Sequence, residues 1–298
     1  MSTPSLIKGD LRLGFGCSGA WSKPWFSARK AEQLVRAAID LGITHIDTAG
    51  FYADAEVRLG NALNAIPKNK VTISTKTGTV RHKHSGTTKD FSAATIEKDV
   101  IASLRRLNVE KVDVLYLHGP NSAQMQEAAP TLVRLKQKGL IEFSGVCGEG
   151  RYLDEAAQAP FIDVIMGAYN FLRPEHEATF KTAKSHGKKV VAIAPLAQGL
   201  YRKGLFFPKS LSDGWHLARA IIKNPDELKR ARAAASALSE PGWTPAGLAL
   251  GYVLANKDID AAITTTTKMD HLAASVAAAR QSISPASLKR LRSVATGT

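Results

Sequence analysis

Four side chains that can bind or transfer a proton follow three short, apolar, β-branched stretches of the sequence. These side chains are Asp47, Tyr52, Lys76 and His118. The stretches, at positions 44–46, 71–75 and 112–117, have the composition of strands, and a helical pattern follows each one. Because the C-terminal ends of the strands of a parallel barrel meet at one face, we expect the four side chains to share a pocket suited to acid–base chemistry.

Each strand-end residue also has a structural interpretation. Asp47 could cap the following helix, Lys76 could form a structural ion pair, and His118 could be a hydrogen-bonded core histidine. Taken singly, the residues favour those interpretations. Their joint position at successive strand ends favours a functional site instead.

The motifs around these residues resemble those of a known family. Asp-Thr-Ala-x-x-Tyr at 47–52, the lysine of Ile-Ser-Thr-Lys and the histidine of Leu-Tyr-Leu-His-Gly-Pro are similar to the catalytic tetrad of the aldo-keto reductases, in the same order. The resemblance covers nearly the whole chain. It implies a (β/α)8 TIM barrel that reduces aldehydes or ketones to alcohols with NADPH, with NADH as the alternative cofactor.

The resemblance and the side-chain chemistry together predict a role for each member of the tetrad. Carbonyl reduction needs a proton for the developing alkoxide and a group that holds the oxygen. Tyr52 is the expected proton donor, and Lys76 is expected to lower its pKa from the ordinary value of about 10. Asp47 would hold Lys76 as an ion pair, and His118 would hydrogen-bond the substrate oxygen.

The expected nicotinamide contacts depart from the commoner pattern of the family. Where that pattern has Ser-Asn after the fifth strand and Gln in the sixth, this chain has Cys147, Gly148 and Met166. Ile193 or Ala194 replaces an aromatic residue that stacks on the ring. These segments resemble a divergent bacterial-type subgroup, whose members can carry iron–sulfur domains. We expect no such domain here, because a cluster needs about four thiolates and the chain has two cysteines.

The resemblance assigns the phosphates of the dinucleotide to two later segments. Positions 195–199 are similar to the loop that covers the pyrophosphate, and 265–268 precede a helix where the family binds the adenosine-side phosphate. His271 takes the place of the arginine that selects NADPH. A threonine-rich strand end with a purely structural role is the alternative. The residues assigned are Pro195, Leu196, Gln198, Gly199, Thr265, Thr266, Thr267, Lys268 and His271.

A glycine-rich turn near the N-terminus gives a competing fold prediction. Gly14, Gly16 and Gly19 match the G-x-G-x-x-G fingerprint of dinucleotide-binding Rossmann folds. That motif requires a helix to begin at the third glycine, whereas the helical pattern here begins well after it. We therefore favour a tight barrel turn, which would place Trp21 and Trp25 on the rim of a substrate pocket.

The chain of 298 residues fits one barrel domain spanning 1–298, since such barrels run to about 250 residues. A short segment at 5–10 could cap the barrel floor. The stretch 78–86 is predicted to be a solvated polar loop, whose two histidines lack further metal ligands, so we expect no metal site. Strands are predicted at 11–16, 44–46, 71–75, 112–117, 141–146, 164–169, 190–194 and 261–264.

The composition argues against several classes of protein. The net charge of +14 could suit nucleic acid, but the basic residues are dispersed over helices, which favours solvated faces and steering of an anionic dinucleotide. No apolar run approaches the ~20 residues of a membrane span, and the N-terminus lacks the pattern of a secretory signal. We expect a cytoplasmic monomer or weak oligomer that acts on a small carbonyl substrate, without nucleic-acid or membrane partners. A catalytically weak NADP(H)-binding sensor barrel is the alternative.

Overall fold

A closed barrel of parallel strands forms the centre of the protein. The structure, a computed structural model, describes residues 5–64, 66–82, 86–197 and 237–296. The strands are β1 (Leu13–Gly16), β2 (His45–Asp47), β3 (Thr72–Thr77), β4 (Thr79–His82), β5 (Gly86–Lys89), β6 (Val112–His118), β7 (Ile141–Cys147), β8 (Val164–Ala168), β9 (Lys189–Ile193) and β10 (Ala261–Thr264). All except β4 and β5 belong to the barrel, in the order β1-β10-β9-β8-β7-β6-β3-β2 with β2 beside β1. The predicted (β/α)8 TIM barrel is confirmed.

Helices alternate with the barrel strands and pack onto them in a continuous core. They are α1 (Ala28–Asp40), α2 (Ala55–Leu63), α3 (Ala93–Leu107), α4 (Ser122–Gln137), α5 (Gly150–Ala156), α6 (Glu177–Ser185), α7 (Pro245–Ala255), α8 (Met269–Ala279) and α9 (Pro285–Thr296). Ser92 caps α3 by accepting a hydrogen bond from the Thr95 N–H, as predicted. No helix within the described ranges is both long and apolar enough to cross a membrane.

Two glycines of β1 are required by its close packing against β10. A Cβ added at Gly14 would lie 2.3 Å from Ile263 Cδ1, and one at Gly16 would lie 2.5 Å from Thr265 Oγ1. Both distances are below van der Waals contact, so a larger side chain at either position would displace the side chain of Ile263 or Thr265. The fingerprint-like glycines therefore serve barrel closure. The Rossmann alternative is wrong, because the sheet closes on itself and α1 begins only at Ala28.

The segment after β3 forms an antiparallel hairpin of β4 and β5, where the sequence predicted a polar loop. Thr79 lies opposite Lys89 in this pair. β-branched residues in both segments favour strands, and Gly78, at φ +84°, turns the chain out of β3. The loop prediction was wrong because a two-stranded ribbon that is polar on both faces has no hydrophobic alternation to reveal it.

The N-terminal segment closes the floor of the barrel, as predicted. Leu6 is buried among barrel-lining side chains that include Val114. The Lys8 N–H donates to Thr44 Oγ1 at 3.0 Å, and the Lys8 ammonium donates to Val71 O at 2.7 Å. Thr44 and Val71 directly precede β2 and β3, so the segment covers the face opposite to the predicted site.

Candidate active site

The four residues predicted to act together come from three neighbouring strands of the barrel. Asp47 ends β2, Lys76 lies near the end of β3, and His118 ends β6. β3 lies between β2 and β6 and pairs with both. Tyr52 lies in the turn after β2, where its N–H donates to Ala49 O at 2.9 Å. The register thus brings all four to the C-terminal face of the barrel.

Asp47 and Lys76 form a buried ion pair. Lys76 Nζ lies 2.5 Å from Asp47 Oδ2 and also donates to Thr48 O at 2.8 Å. The side chains of Lys76 and Asp47 are only 2% and 7% exposed. Burial is the largest single effect and lowers the pKa of Lys76, but the charges of Asp47, Tyr52 and Cys147 and the hydrogen bond to Asp47 together leave the pKa above its ordinary value. The lysine therefore stays positively charged at neutral pH.

Tyr52 lies near both the ammonium of Lys76 and the imidazole of His118. Lys76 Nζ is 5.4 Å from the centre of the Tyr52 ring, and the centre of the His118 ring is 6.2 Å away with the two planes at 87°. Burial raises the pKa of Tyr52 more than Lys76 lowers it. Lys76 acts in the predicted direction, but desolvation of the phenolate is the larger effect and leaves the pKa above its ordinary value. Tyr52 is therefore a protonated phenol at neutral pH.

His118 is a neutral imidazole at neutral pH. Burial, together with the positive charges of Lys76 and Lys89, lowers the pKa of His118 to about 3. Its Nδ1 is buried without a hydrogen-bond partner among the described residues. Because a neutral imidazole carries one N–H donor and one acceptor, His118 can donate one hydrogen bond to a polar atom beside Tyr52.

A buried hydrogen-bond chain behind the ion pair was not predicted from the sequence. Ser74 Oγ donates to Asp47 Oδ1 at 2.8 Å and therefore accepts from His45 Nε2, which is 3.1 Å away. Burial lowers the pKa of His45 to about 4, so this imidazole is also neutral at pH 7. The available signal was the period of two along a strand. Ser74 precedes Lys76, and His45 precedes Asp47, by two positions, which places each pair on one face.

The hairpin of β4 and β5 brings two cations to the edge of the site. Lys89 Nζ donates to the main-chain oxygen of His118 and to Thr79 Oγ1. The Arg81 guanidinium lies 4.4 Å from the centre of the Phe51 ring, and its Nη2 donates to Phe51 O at 3.3 Å. These contacts could not be read from the sequence, because the hairpin itself was predicted as a loop.

The three residues expected near the nicotinamide carboxamide lie together. Cys147 ends β7 and pairs in register with His118 on β6 and with Met166 on β8. The Gly148 N–H donates to Met166 O at 3.0 Å. Burial raises the pKa of Cys147 to about 11, so the group is a thiol at neutral pH. Cys147, Gly148 and Met166 offer no amide side chain to a bound carboxamide.

The residues after β9 were expected to cover the pyrophosphate. Ala194 adopts φ +53°, and its carbonyl oxygen accepts from the Ala197 N–H at 3.0 Å, which makes a tight turn at the strand end. Pro195 is buried and Leu196 is half-buried in this turn. Two further residues assigned to this loop lie outside the described ranges, namely Gln198 and Gly199.

The segment between β10 and α8 presents hydroxyl groups beside a helix N-terminus. Thr265 and Lys268 are exposed, whereas Thr266 and Thr267 are half-buried. Thr266 Oγ1 accepts from the Lys268 N–H at 3.1 Å. No side chain caps α8, whose first turn carries the exposed His271. Hydroxyls, an ammonium and an uncapped helix N-terminus together suit a phosphate.

The two tryptophans expected on the rim of a substrate pocket differ in exposure. Trp21 is fully buried, with its ring centre 5.5 Å from that of Phe15 and 5.0 Å from that of Phe26. Its Nε1–H donates to Thr266 O at 3.4 Å. The rim position expected for Trp21 is therefore corrected, because apolar neighbours enclose the indole in the core. Trp25 is 70% exposed, and its contact with a substrate stays a prediction.

The titratable groups of the site supply acid–base rather than ligand-cluster chemistry. Within the described ranges, no three His, Cys, Asp or Glu side chains lie close enough together to hold a metal ion. Cys17 and Cys147 are both buried free thiols. The groups that can exchange or share a proton with a bound molecule are the Tyr52 phenol and the His118 imidazole.

Known proteins are similar in sequence to this protein along nearly its whole chain. The aldo/keto reductase family model matches residues 12–296. L-galactose dehydrogenase of Arabidopsis thaliana is 30% identical over 284 residues, which cover 89% of this chain and 83% of that protein. The NADH-specific methylglyoxal reductase of Escherichia coli is 25% identical over 310 residues, which cover 95% of this chain and 94% of that protein.

A solved structure agrees with the sequence matches. The holo form of an aldo-keto reductase from Bacillus halodurans has a TM-score of 0.80 to this protein at 25% identity, covering 99% of this chain and 96% of that one. The family match, the barrel and the strand-end residues all point to one assignment. The chain belongs to the aldo/keto reductase family of oxidoreductases.

Proposed function

We propose that this protein reduces aldehyde or ketone groups to alcohols with Tyr52 as the proton donor. The observation that carries the proposal is the proximity of Tyr52 to both the buried ammonium of Lys76 and the neutral imidazole of His118. A substrate oxygen placed there can accept hydrogen bonds from the phenol and the imidazole at once. Membership of the family supports carbonyl reduction in general.

Each residue of the site contributes a separate physical effect. The Tyr52 phenol transfers its proton to the substrate oxygen as negative charge develops there. The remaining phenolate lies beside the Lys76 ammonium, whose charge stabilises it. Asp47 holds that ammonium in place through the buried ion pair. His118 stays uncharged because of its low pKa, and it orients the oxygen by donating a hydrogen bond.

NADPH is the proposed hydride donor, with NADH as the alternative. When bound, the nicotinamide would supply the hydride that forms the new C–H bond of the alcohol. The uncapped N-terminus of α8, with Thr265 and Lys268 beside it, fits a phosphate of the dinucleotide. Since the relative from Escherichia coli is named as NADH-specific, both cofactors belong in the assay.

A second candidate function is an NADP(H)-binding sensor with little turnover. Cys147, Gly148 and Met166 favour it, since they provide no amide side chain that could orient a carboxamide. The arrangement of Tyr52 beside Lys76 favours the reductase instead. A buried ammonium is costly to maintain, and its contact with a phenol matches the needs of proton transfer.

Consumption of NADPH with a panel of aromatic and aliphatic aldehydes tests the proposal. Tyr52→Phe removes only the phenolic hydroxyl, and it is expected to lower kcat by about 10²–10⁴-fold, the usual contribution of a positioned acid. Tyr152→Phe is the matched control, because the Tyr152 hydroxyl on α5 accepts a hydrogen bond from Arg151 away from the site. NADPH binding, followed by cofactor fluorescence, is expected to survive in both variants.

The possible outcomes separate the two candidate functions. NADPH binding without turnover in the wild-type protein would favour the sensor. Turnover that survives Tyr52→Phe would contradict the role of Tyr52 as donor. A wild-type protein that neither binds a nicotinamide dinucleotide nor reduces any aldehyde would contradict the proposed function as a whole.

A further inference from the structure

Arg81 and Lys89 form a positively charged edge on the hairpin of β4 and β5, here termed the cationic edge. Both side chains are exposed. Within the described ranges, neither takes part in an ion pair with an aspartate or glutamate. Thr79 pairs with Lys89 and Arg81 lies two positions after Thr79, so the two cations are diagonal neighbours on one face of the hairpin. Without acidic partners they are available to an anion from outside the protein.

The cationic edge adjoins the groups proposed to hold the reacting oxygen. Lys89 Nζ donates to the main-chain oxygen of His118. Arg81 covers the ring of Phe51, whose centre is 6.4 Å from the centre of the His118 ring. An oxygen hydrogen-bonded to His118 would therefore leave the rest of its molecule near these two cations.

The electrostatics of the site agree with an anion at this edge. Burial lowers the pKa of Lys89, and Lys89 in turn contributes to the low pKa of His118. Asp47, the acid of the tetrad, is already paired with Lys76. A negatively charged group bound beside Lys89 would offset the cost of burying its ammonium, which is what lowers this pKa.

The protein residues proposed to bind a phosphate of the dinucleotide lie too far around the barrel from the cationic edge for that phosphate to reach it. His118 ends β6, whereas Thr265 and Lys268 follow β10. In the order of the barrel, β6 and β10 are four strands apart in either direction, so they lie on opposite sides of the ring. The anion that the edge suits is therefore a separate group from the phosphate expected at α8.

We propose that the cationic edge binds an anionic group of the substrate, a carboxylate or phosphate joined by a short chain to the carbonyl that is reduced. This inference rests on the proposed function and narrows it to acidic aldehydes or ketones. Arg81 can grip such a group with two parallel N–H donors, while Lys89 acts as a point charge closer to the carbonyl.

The test compares an acidic aldehyde, succinic semialdehyde, with the uncharged butanal, using NADPH and the full chain. The wild-type protein is expected to have the higher kcat/KM with the acidic aldehyde. A charge-assisted hydrogen bond corresponds to about a 10–100-fold change, so Lys89→Met is expected to lower the ratio of the two kcat/KM values by that factor, through weaker binding of the acidic aldehyde. Lys89→Arg keeps the charge and is expected to restore most of the preference, and salt is expected to weaken it.

A matched control removes the same charge elsewhere. Lys98 is exposed on α3, so Lys98→Met is expected to leave the ratio as in the wild-type protein. A second measurement does not depend on turnover. Ligand-observed NMR is expected to detect binding of butanoate more strongly than binding of butanamide, and the difference is expected to disappear in Lys89→Met.

Several results would overturn the inference. A wild-type ratio near one, or a ratio that Lys89→Met leaves unchanged, would show that the edge does not select anionic substrates. An equal fall in kcat for both aldehydes would assign Lys89 to the positioning of His118. Weaker binding of NADPH alone would place a cofactor phosphate at the edge. Absence of any aldehyde reduction would refute the proposed function, and the NMR comparison would still decide the inference.

Discussion

Strand β3 contacts a buried ion pair on each of its two faces, one inside the barrel and one outside. The inner pair is Lys76 with Asp47, at 2.5 Å. The outer pair is Arg106 with Glu56, at 2.6 Å. Thr75, the neighbour of Lys76, donates to the other oxygen of Glu56 at 2.5 Å. Because neighbouring residues of a strand point to opposite faces, one short strand supports both networks.

The two pairs differ in what adjoins them. Both oxygens of Glu56 have a partner, and the outer pair links α2 to α3. The inner pair adjoins Tyr52 and two neutral histidines, His45 and His118, whose Nδ1 atoms have no partner among the described residues. A buried ion pair therefore does not mark a functional site by itself. What supports a functional site at the inner pair is that the polar atoms beside it still lack a hydrogen-bond partner.

Breaking the inner pair with Lys76→Met is expected to have the largest effect. kcat should fall by about 10³-fold, in the range of a lost acid–base group, because the phenolate formed at Tyr52 loses the ammonium that stabilises it. Asp47 would be left as an unpaired buried charge, so the fold should be weakened too. Steady-state kinetics with saturating aldehyde and thermal unfolding measure the two effects separately.

The double variant Asp47→Asn with Lys76→Met separates chemistry from folding. Removing both charges should restore much of the stability, because no uncompensated charge stays buried. The reduction rate should stay low. If the double variant recovered kcat, Lys76 would act through the fold alone, and the distinction between the inner and outer pairs would fail.

Breaking the outer pair with Arg106→Met is expected to destabilise the protein and leave the chemistry intact. The free energy of unfolding should fall by about 3 kcal/mol, the low end for a broken buried pair, since the Arg106 side chain is 34% exposed. Folded protein should keep kcat within about twofold, because the hydrogen bonds of this pair go to Thr75 and Ser103 and to none of the four proposed catalytic residues. Urea unfolding and steady-state kinetics provide the two readouts.

A matched double variant sharpens the same comparison. Glu56→Gln with Arg106→Met keeps an acceptor for the Thr75 hydroxyl and removes the buried charge, so it should regain most of the lost stability. A fall in kcat for Arg106→Met as large as that for Lys76→Met would mean that the outer pair also serves the reaction.

The smallest expected effect is a loss of folding stability at acid pH, caused by His45, which is linked to the inner pair through Ser74. The pKa of His45 falls from an ordinary 6.5 to about 4 in the folded protein. Between these values the unfolded chain binds a proton that the folded chain does not, so stability is complete above pH 6.5 and decreases as the pH falls. The contribution of His45 between pH 7 and pH 5 is about 2 kcal/mol.

Urea unfolding at pH 5, 6 and 7 measures this acid sensitivity. His118 acts in the same direction because its pKa is also lowered, so the contribution of His45 is the difference between the wild-type protein and His45→Gln. The Glu56→Gln with Arg106→Met variant should keep the wild-type dependence. Equal pH dependence in the wild-type protein and His45→Gln would exclude His45 as the source.

The sequence was sufficient to predict those parts of the site that depend on strand order. Asp47, Lys76 and His118 could be placed together because the ends of parallel strands converge whatever their side chains contact. The features that the sequence did not reveal depended on packing. The pKa of Tyr52 follows from how deeply the phenol is buried, and the position of Trp21 follows from the apolar rings that enclose it.

Other structural features could not be predicted because they depend on residues far away in the sequence or leave no trace in the hydrophobic pattern. The absence of a side chain at Gly16 leaves space for Thr265, which lies far away in the sequence and shares no local motif with Gly16. Arg81 and Lys89 lie on a ribbon that is polar on both faces, so neither the ribbon nor its cations could be distinguished from a solvated loop. Ser74 was visible in principle, two positions before Lys76, but a hydroxyl in a strand has many structural uses.

The pairing of β1 with β10 has a consequence for how the protein folds during its synthesis. It joins the first and last strands of the barrel, so a ribosome must deliver nearly the whole chain before the ring can close. Until then the growing sheet exposes two open edges that could pair with other chains. Gly14 and Gly16 leave space for the side chain of Ile263, which is synthesised much later than β1. The residues proposed for proton transfer are thus synthesised early, while the closing strand and the segment after it that is proposed to bind a phosphate emerge together at the end.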